Sequence, residues 1–299
     1  MKTRLVRYVL AVGFAALPDL LSAQPTAHYV PGSEGIKGAS LPPPGIYVRD
    51  YNLAYYSTRL NNAGGNNAHL PNFEAFTYAN VPRVIWITDQ QVLGGYVGVD
   101  ALLPFIYQSL KVPGYDHGTF GIGDFFAEST LSWHPKQFDL AAGVGVWMPT
   151  GDSPSQPPPT PSTRVGLGYW TPMLTAGATW YIDQEKTWAV SALNRYEFNT
   201  RQHDTHITPG QAYTLEWGAS KTVAKVVDLG VVGYFQQQVT TDSGANASTD
   251  RDRVVAVGPE INMAFPKQML FASFRYDYEF WAQSRAQGHT FTLTLTKRF

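Results

Sequence analysis

Residues 289–299 read HTFTLTLTKRF. Successive side chains of a strand point to opposite faces, so Phe291, Leu293, Leu295 and Phe299 share one side and Thr290, Thr292, Thr294, Thr296 and Arg298 the other. Lys297 interrupts the apolar row, but near a membrane edge a long lysine stem lies along apolar surface while its ammonium reaches water. The same alternation recurs upstream. In 269–281, Leu270, Ala272, Phe274, Tyr276, Tyr278 and Phe280 oppose Ser273, Arg275, Asp277 and Glu279; in 187–199, Trp188, Val190, Ala192, Tyr196 and Phe198 oppose Ser191, Arg195, Glu197 and Asn199. Charges therefore fall on the face that a small soluble barrel would fill with apolar side chains. A membrane barrel inverts the arrangement, with the apolar face on lipid and a polar lumen.

Extended over the whole chain, the pattern predicts an all-β fold, a transmembrane outer-membrane β-barrel of about twelve antiparallel strands. The strands are expected near 46–59, 75–88, 93–107, 123–133, 138–149, 168–182, 187–200, 210–222, 227–241, 252–264, 268–282 and 289–299. Connections alternate in character. The long polar ones, NNAGGNNAHLPN (61–72), 111–119, GDSPSQPPPTPSTR (151–164), 201–209 and DSGANASTD (242–250), are expected outside the cell. Short ones near Asp89-Gln90, His134-Pro135-Lys136, Asp183 to Lys186, Ala224-Lys225 and Phe265-Pro266-Lys267 are expected in the periplasm. Long outer loops and short inner turns are the habit of outer-membrane barrels.

Residues 1–23 read as a signal peptide: Lys2, Arg4 and Arg7, then an apolar run from Tyr8 to Leu17, then Leu21-Ser22-Ala23 before Gln24. Pro18 and Asp19 cut that run short of the ~20 residues a helical span needs. Residues 24–45 do not alternate and are rich in Gly and Pro, as expected of a periplasmic tether or a plug folded into the lumen; the barrel is expected over 46–299. The chain has no cysteine, which excludes disulfides, thiolate metal sites and a cysteine nucleophile. A formal net charge of −1 gives no basic surface for nucleic acid.

Several short motifs in order give the chain a family likeness: Leu41-Pro42-Pro43-Pro44-Gly45-Ile46-Tyr47, Arg83-Val84-Ile85-Trp86-Ile87-Thr88, Gly94-Gly95-Tyr96, Leu103-Pro104, Gly121-Ile122-Gly123-Asp124 and Leu131-Ser132-Trp133. Later come Met148-Pro149-Thr150-Gly151-Asp152, Gly233-Tyr234-Phe235-Gln236-Gln237-Gln238, Val257-Gly258-Pro259-Glu260 and the terminal Phe299. Along nearly the whole mature sequence the chain resembles the outer-membrane family associated with the meta-pathway of phenol degradation, whose members are regarded as transporters. The resemblance implies uptake of small hydrophobic or aromatic compounds and brings no defined set of binding residues. It also implies that the terminal strand ending in Phe299 is presented to the barrel-assembly machinery.

The charges expected to line the lumen are Arg83, Asp124, Glu128, Arg195, Glu197, Glu216, Glu260, Arg275, Asp277 and Glu279, as a mixed-sign lining or as ion pairs between neighbouring strands. Tyr56, Phe126 and Tyr234 alternate with the polar side and are expected as aromatic lumen contacts. Tyr47, Tyr51, Tyr55, Trp86, Trp133, Trp188, Tyr278, Phe280, Trp281 and Phe299 lie near strand ends, where interfacial girdles form. His203, Asp204 and His206 read as a solvated loop cluster rather than a metal site, so no metal or cofactor is expected. No stretch resembles the His-x-Ser-Asn-Gly patch of outer-membrane phospholipases, and the sequence is read as no enzyme. The expected function is a passive channel in the bacterial outer membrane, with the lipid bilayer and a small solute as its partners. The alternatives are a structural or adhesive barrel with a sealed lumen and, third, a hydrolase.

Overall fold

The computed structural model describes residues 27–156, 160–245 and 247–299; the leader expected at 1–23 lies outside them. The chain forms β1 (Gly45–Ser57), β2 (Glu74–Val92), β3 (Gly95–Leu102), β4 (Phe105–Val112), β5 (Tyr115–Ile122), β6 (Phe125–Trp133) and β7 (Phe138–Met148). There follow β8 (Thr171–Tyr181), β9 (Trp188–Glu197), β10 (Ala212–Val223), β11 (Val227–Gln238), β12 (Arg253–Phe265), β13 (Leu270–Gln283) and β14 (His289–Arg298). All pairings are antiparallel, and β1 pairs with both β2 and β14, which closes the ring and leaves no sheet edge there to be satisfied in lipid.

The ring holds twelve strands because two of them are broken in half. β3 and β4 form one barrel strand interrupted at Leu103-Pro104, and β5 and β6 form the next, interrupted at Gly123-Asp124. β2 spans both halves of its neighbour, pairing through Arg83–Val92 with β3 and through Glu74–Asn80 with β4. Pro104 has no N–H for the ladder, and its carbonyl accepts from Gly123 N–H at 2.8 Å, so the breaks in the two strands lie side by side.

Two connections differ from the sequence reading. The long loop expected at 111–119 is a continuation of β4 and β5, joined through Pro113-Gly114; Pro fixes φ at the first turn position and Gly114 takes φ 81° at the second. The turn expected at Asp89-Gln90 lies instead at Leu93-Gly94, where both residues have positive φ (52° and 76°), as a two-residue hairpin turn requires. Elsewhere the short turns are tied locally. The Thr187 hydroxyl and the Trp188 N–H donate to Asp183 and hold its carboxyl down at about 2.

Trp86, Trp188, Tyr278, Phe280, Trp281 and Phe299 stand exposed on the outer face, the belt expected of a barrel in lipid. Phe280 and Trp281 both point outward because a bulge in β13 places two residues where β12 has one. Tyr47, Tyr51 and Tyr55, read from sequence as girdle residues, face inward: Tyr47 donates to the Pro43 carbonyl at 2.8 Å, Tyr51 to Glu34 at 2.6 Å and Tyr55 to Glu279 at 3.0 Å. Their hydroxyls need acceptors, and the acceptors lie inside. Lys297 reaches the Gln268 carbonyl in the short turn Pro266–Gln268, which satisfies its ammonium at the barrel edge.

Residues 27–44 add no strand. They run through the interior from the level of the β7 C-terminus, where His28 meets Trp147, to the periplasmic end, where Ser40 lies 3.3 Å from Tyr181 Oη and Pro43 meets Tyr47. Two turns compact this segment, with Gly38 N–H donating to the Gly35 carbonyl and Ser40 N–H to the Lys37 carbonyl.

Candidate functional site

Strand alternation puts every second side chain inside, and the structure turns all ten charges named from sequence inward and buries them. Three of them, Arg83, Arg195 and Arg275, form ion pairs with carboxylates on neighbouring strands. Arg83 on β2 donates through Nε to Asp100 on β3 at 2.8 Å, with Glu128 on β6 3.5 Å from Nη2. Arg195 on β9 meets Glu216 on β10 at 2.6 Å, and Arg275 on β13 meets Glu260 on β12 at 3.2 Å with Asp277 beside it at 3.5 Å. Glu279 accepts from Tyr55, Tyr234 and the Gly288 N–H. Charged groups out of water need such partners, because a lone buried charge is far more costly than a pair.

The wall carries more carboxylates than guanidiniums, and the lumen segment supplies the missing donors. Glu197 Oε1 accepts the backbone N–H groups of His28 and Tyr29 at 2.9 and 3.0 Å; Glu216 accepts that of Glu34 at 3.0 Å and Glu260 that of Ile36 at 2.8 Å. His28 Nε2 lies 2.9 Å from Asp124, whose oxygens also accept the N–H groups of Gly151 and Leu167 at 2.8 Å each. Glu34 returns a carboxylate to Arg49, Arg83 and Tyr51, and Lys37 pairs with Asp228 at 2.8 Å. The fit is close at Gly35: a Cβ there would stand 1.8 Å from Glu260 Oε2 and 2.1 Å from Arg275 Nη1. Glu197 Oε2 and both Asp277 oxygens keep unused acceptor capacity.

The aromatic expectations divide. Phe126 is buried with Tyr29, Trp147 and Met173, and Tyr234 is buried against Val254 and Ala256 with its hydroxyl on Glu279. Tyr56 is a correction: it is 42% exposed on the outer face, and its neighbour Tyr55 takes the inward position. Two adjacent tyrosines give sequence reading no parity; the phase is set by Arg49 and Tyr51, which face Glu34. Within 27–44 the backbone N–H groups of His28, Tyr29, Glu34 and Ile36, which hold Glu197, Glu216 and Glu260, leave no residue signature; the side chains of His28, Tyr29, Glu34 and Lys37 make further contacts that no periodicity marks. His203 is tied by Nδ1 to the Gly168 carbonyl at 2.7 Å. In the same outer loops burial pushes the Asp242 carboxyl up, although Gly210 N–H and Gln238 donate to it.

Above the segment lies a cavity of about 430 Å³ with two unlike walls. Leu53, Phe73, Val81, Ile106 and Leu110 make one side; Tyr234, Gln236, Glu279 and Arg285 contribute polar groups to the other, and His28, Tyr29 and Val30 border it below. An apolar body with one polar end matches such a lining.

The fold is that of an outer-membrane channel. The COG4313 outer membrane channel from Pseudomonas putida F1 superposes with a TM-score of 0.77 at 15% identity, covering 91% of this chain and 100% of that one. The β domain of the Bordetella autotransporter BrkA is more distant, with a TM-score of 0.49 at 13% identity over 85% of this chain and 99% of that one. The likeness to the Pseudomonas putida channel, with the closed barrel and its apolar outer face, places the protein in the bacterial outer membrane, embedded in the bilayer. A comparison with curated protein sequences finds no match. Residues 57–295 match the family described as "Putative MetA-pathway of phenol degradation", most of the barrel, and the chain belongs to that family.

Proposed function

We propose that the protein is a passive channel for small apolar or aromatic solutes carrying one polar group, and that residues 27–44 act as a plug in its lumen. The observation that carries this reading is the two-walled cavity directly above the segment, sized for a small molecule and bordered by His28 to Val30. A solute resting there meets alkyl and aromatic side chains on one side and hydrogen-bonding groups on the other. The family's link to phenol degradation fits the same solute chemistry.

The inner charges engage one another and the segment, an arrangement that positions and holds rather than one that reacts. No enzymatic role is therefore assigned. Phe299 closes β14 by donating its N–H to the Ile46 carbonyl at 2.9 Å and leaves its ring 71% exposed, as a terminal signal read by the assembly machinery requires.

The density of ion pairs favours a second reading, a sealed structural barrel. Liposome uptake separates the two. Vesicles bearing the folded barrel should admit p-cresol and other small phenols faster than empty vesicles. Equal rates, with the protein folded and heat-modifiable, would overturn the transport reading and leave the sealed barrel.

A further inference from the structure

Tyr29 is the one phenol that the lumen segment contributes to the described interior below the cavity, and its surroundings have the form of a ligand site. Its hydroxyl donates to Glu216 Oε2 at 2.7 Å. The Arg195 guanidinium lies over its ring at 4.0 Å, and that guanidinium is itself held by Glu216 at 2.6 Å. Phe126, Trp147 and Met173 pack around the ring, with Leu102 behind them. Each part of a phenol thus has its own complement: an ionised acceptor for the O–H, a cation for the π face and apolar walls for the ring edge.

The segment brings this phenol in without building it into the barrel. Tyr29 is joined to the wall by its hydroxyl, by its N–H on Glu197 and by its carbonyl, which accepts from Gln236 at 2.9 Å. The pocket that surrounds it is made by β6, β7, β8, β9 and β10, consecutive strands of the closed ring and not part of the segment. Tyr29 also borders the cavity, so a solute in the vestibule is already in contact with the group it would replace.

We propose that Tyr29 occupies, as a tethered phenol, a binding site for free phenolic solutes, with Glu216 accepting the solute hydroxyl and Arg195 facing its ring. A phenol from the cavity competes with Tyr29 for this site and loosens the upper part of the segment as it binds. The proposal rests on the channel reading above and names the solute class and the position at which the plug yields. Neutral phenols fit; a phenolate does not, because it would set a second anion against Glu216 and has no O–H to donate.

The test is amide hydrogen exchange of residues 27–37 in the full-length protein in nanodiscs, with p-cresol or toluene as probe. p-Cresol is the tyrosine side chain as a free molecule; toluene lacks the hydroxyl. The proposal predicts that p-cresol accelerates exchange at the His28 and Tyr29 amides saturably and that toluene does so much less. Tyr29→Phe keeps the ring and removes the bond to Glu216, which weakens the tethered competitor; the half-effect concentration of p-cresol should fall about tenfold. Glu216→Gln should reduce the advantage of p-cresol over toluene.

Exchange that p-cresol leaves unchanged in both the native and the Tyr29→Phe protein would overturn the site, as would equal responses to the two probes. Liposome uptake of p-cresol without any effect on exchange would overturn the site and keep the channel. A saturable, hydroxyl-dependent effect on exchange without uptake would keep the site and overturn the channel.

Discussion

Asp50 is a carboxylate on the lipid side of the barrel. It lies on β1 between Arg49 and Tyr51, both of which turn inward, and its partners are polar outer-face residues of β1 and β2. Asn80 donates to Asp50 at 2.8 Å and to Asn52 at 3.1 Å; Asn52 donates to the second Asp50 oxygen at 2.8 Å, and Tyr78 to Asn52 at 2.8 Å. The knot satisfies itself, which is how polar side chains persist against hydrocarbon. Asn80→Leu should therefore cost about 1–3 kcal/mol of unfolding free energy in lipid vesicles, by leaving Asp50 short of a donor. Asp50→Leu combined with Asn80→Leu should recover part of that loss, because the carboxylate is gone and only the Asn52 amide has lost its acceptor. Urea titration of Asn80→Leu, Asp50→Leu and the double variant measures it, and strictly additive losses would contradict the coupling. Sequence reading named ten inner charges from their opposition to apolar neighbours, and gave no signal for Asp50, one of whose two donors, Asn80, lies 30 positions away on another strand.

At the scale of the strand, one residue of register decides which face meets lipid. Ala192 on β9 pairs with Trp217 and Ala178 and faces outward, between the inward Ser191 and Leu193. Ala192→Leu should leave the heat-modifiable folded fraction unchanged, whereas Ala192→Arg places a cation against lipid near mid-strand and should cost about 2–4 kcal/mol. The opposite tolerance, seen by electrophoretic mobility and urea unfolding, would shift the strand by one residue. Alternation made these long outer-face runs legible from sequence. It failed where the pattern stops for a local reason: Leu103-Pro104 and Gly123-Asp124 break two strands, and Leu93-Gly94 moves a turn because both residues adopt positive φ. A proline or glycine marks each place, but only pairing across strands shows whether it ends a strand or divides one.

For the whole molecule, the central relation is between a wall with surplus acceptors and a segment with donors to spare. Residues 27–44 have no periodicity, so nothing in their sequence says which side chains face what; they hold Glu197 and Glu260 by backbone N–H groups, and Glu216 by the Glu34 N–H together with the Tyr29 hydroxyl. Gly35 is one of three glycines in this stretch, and the structure shows what its small size admits, the Glu260–Arg275 pair pressed against its Cα. That contact gives a way to unseat the segment while keeping the full chain and leaving every wall residue in place. Single-channel recording of the native protein and of Gly35→Trp in planar bilayers tests the account most directly. With residues 27–44 seated in the lumen, the native barrel should conduct weakly and the folded, heat-modifiable Gly35→Trp barrel severalfold more; equal conductance from two equally folded proteins would contradict a plug.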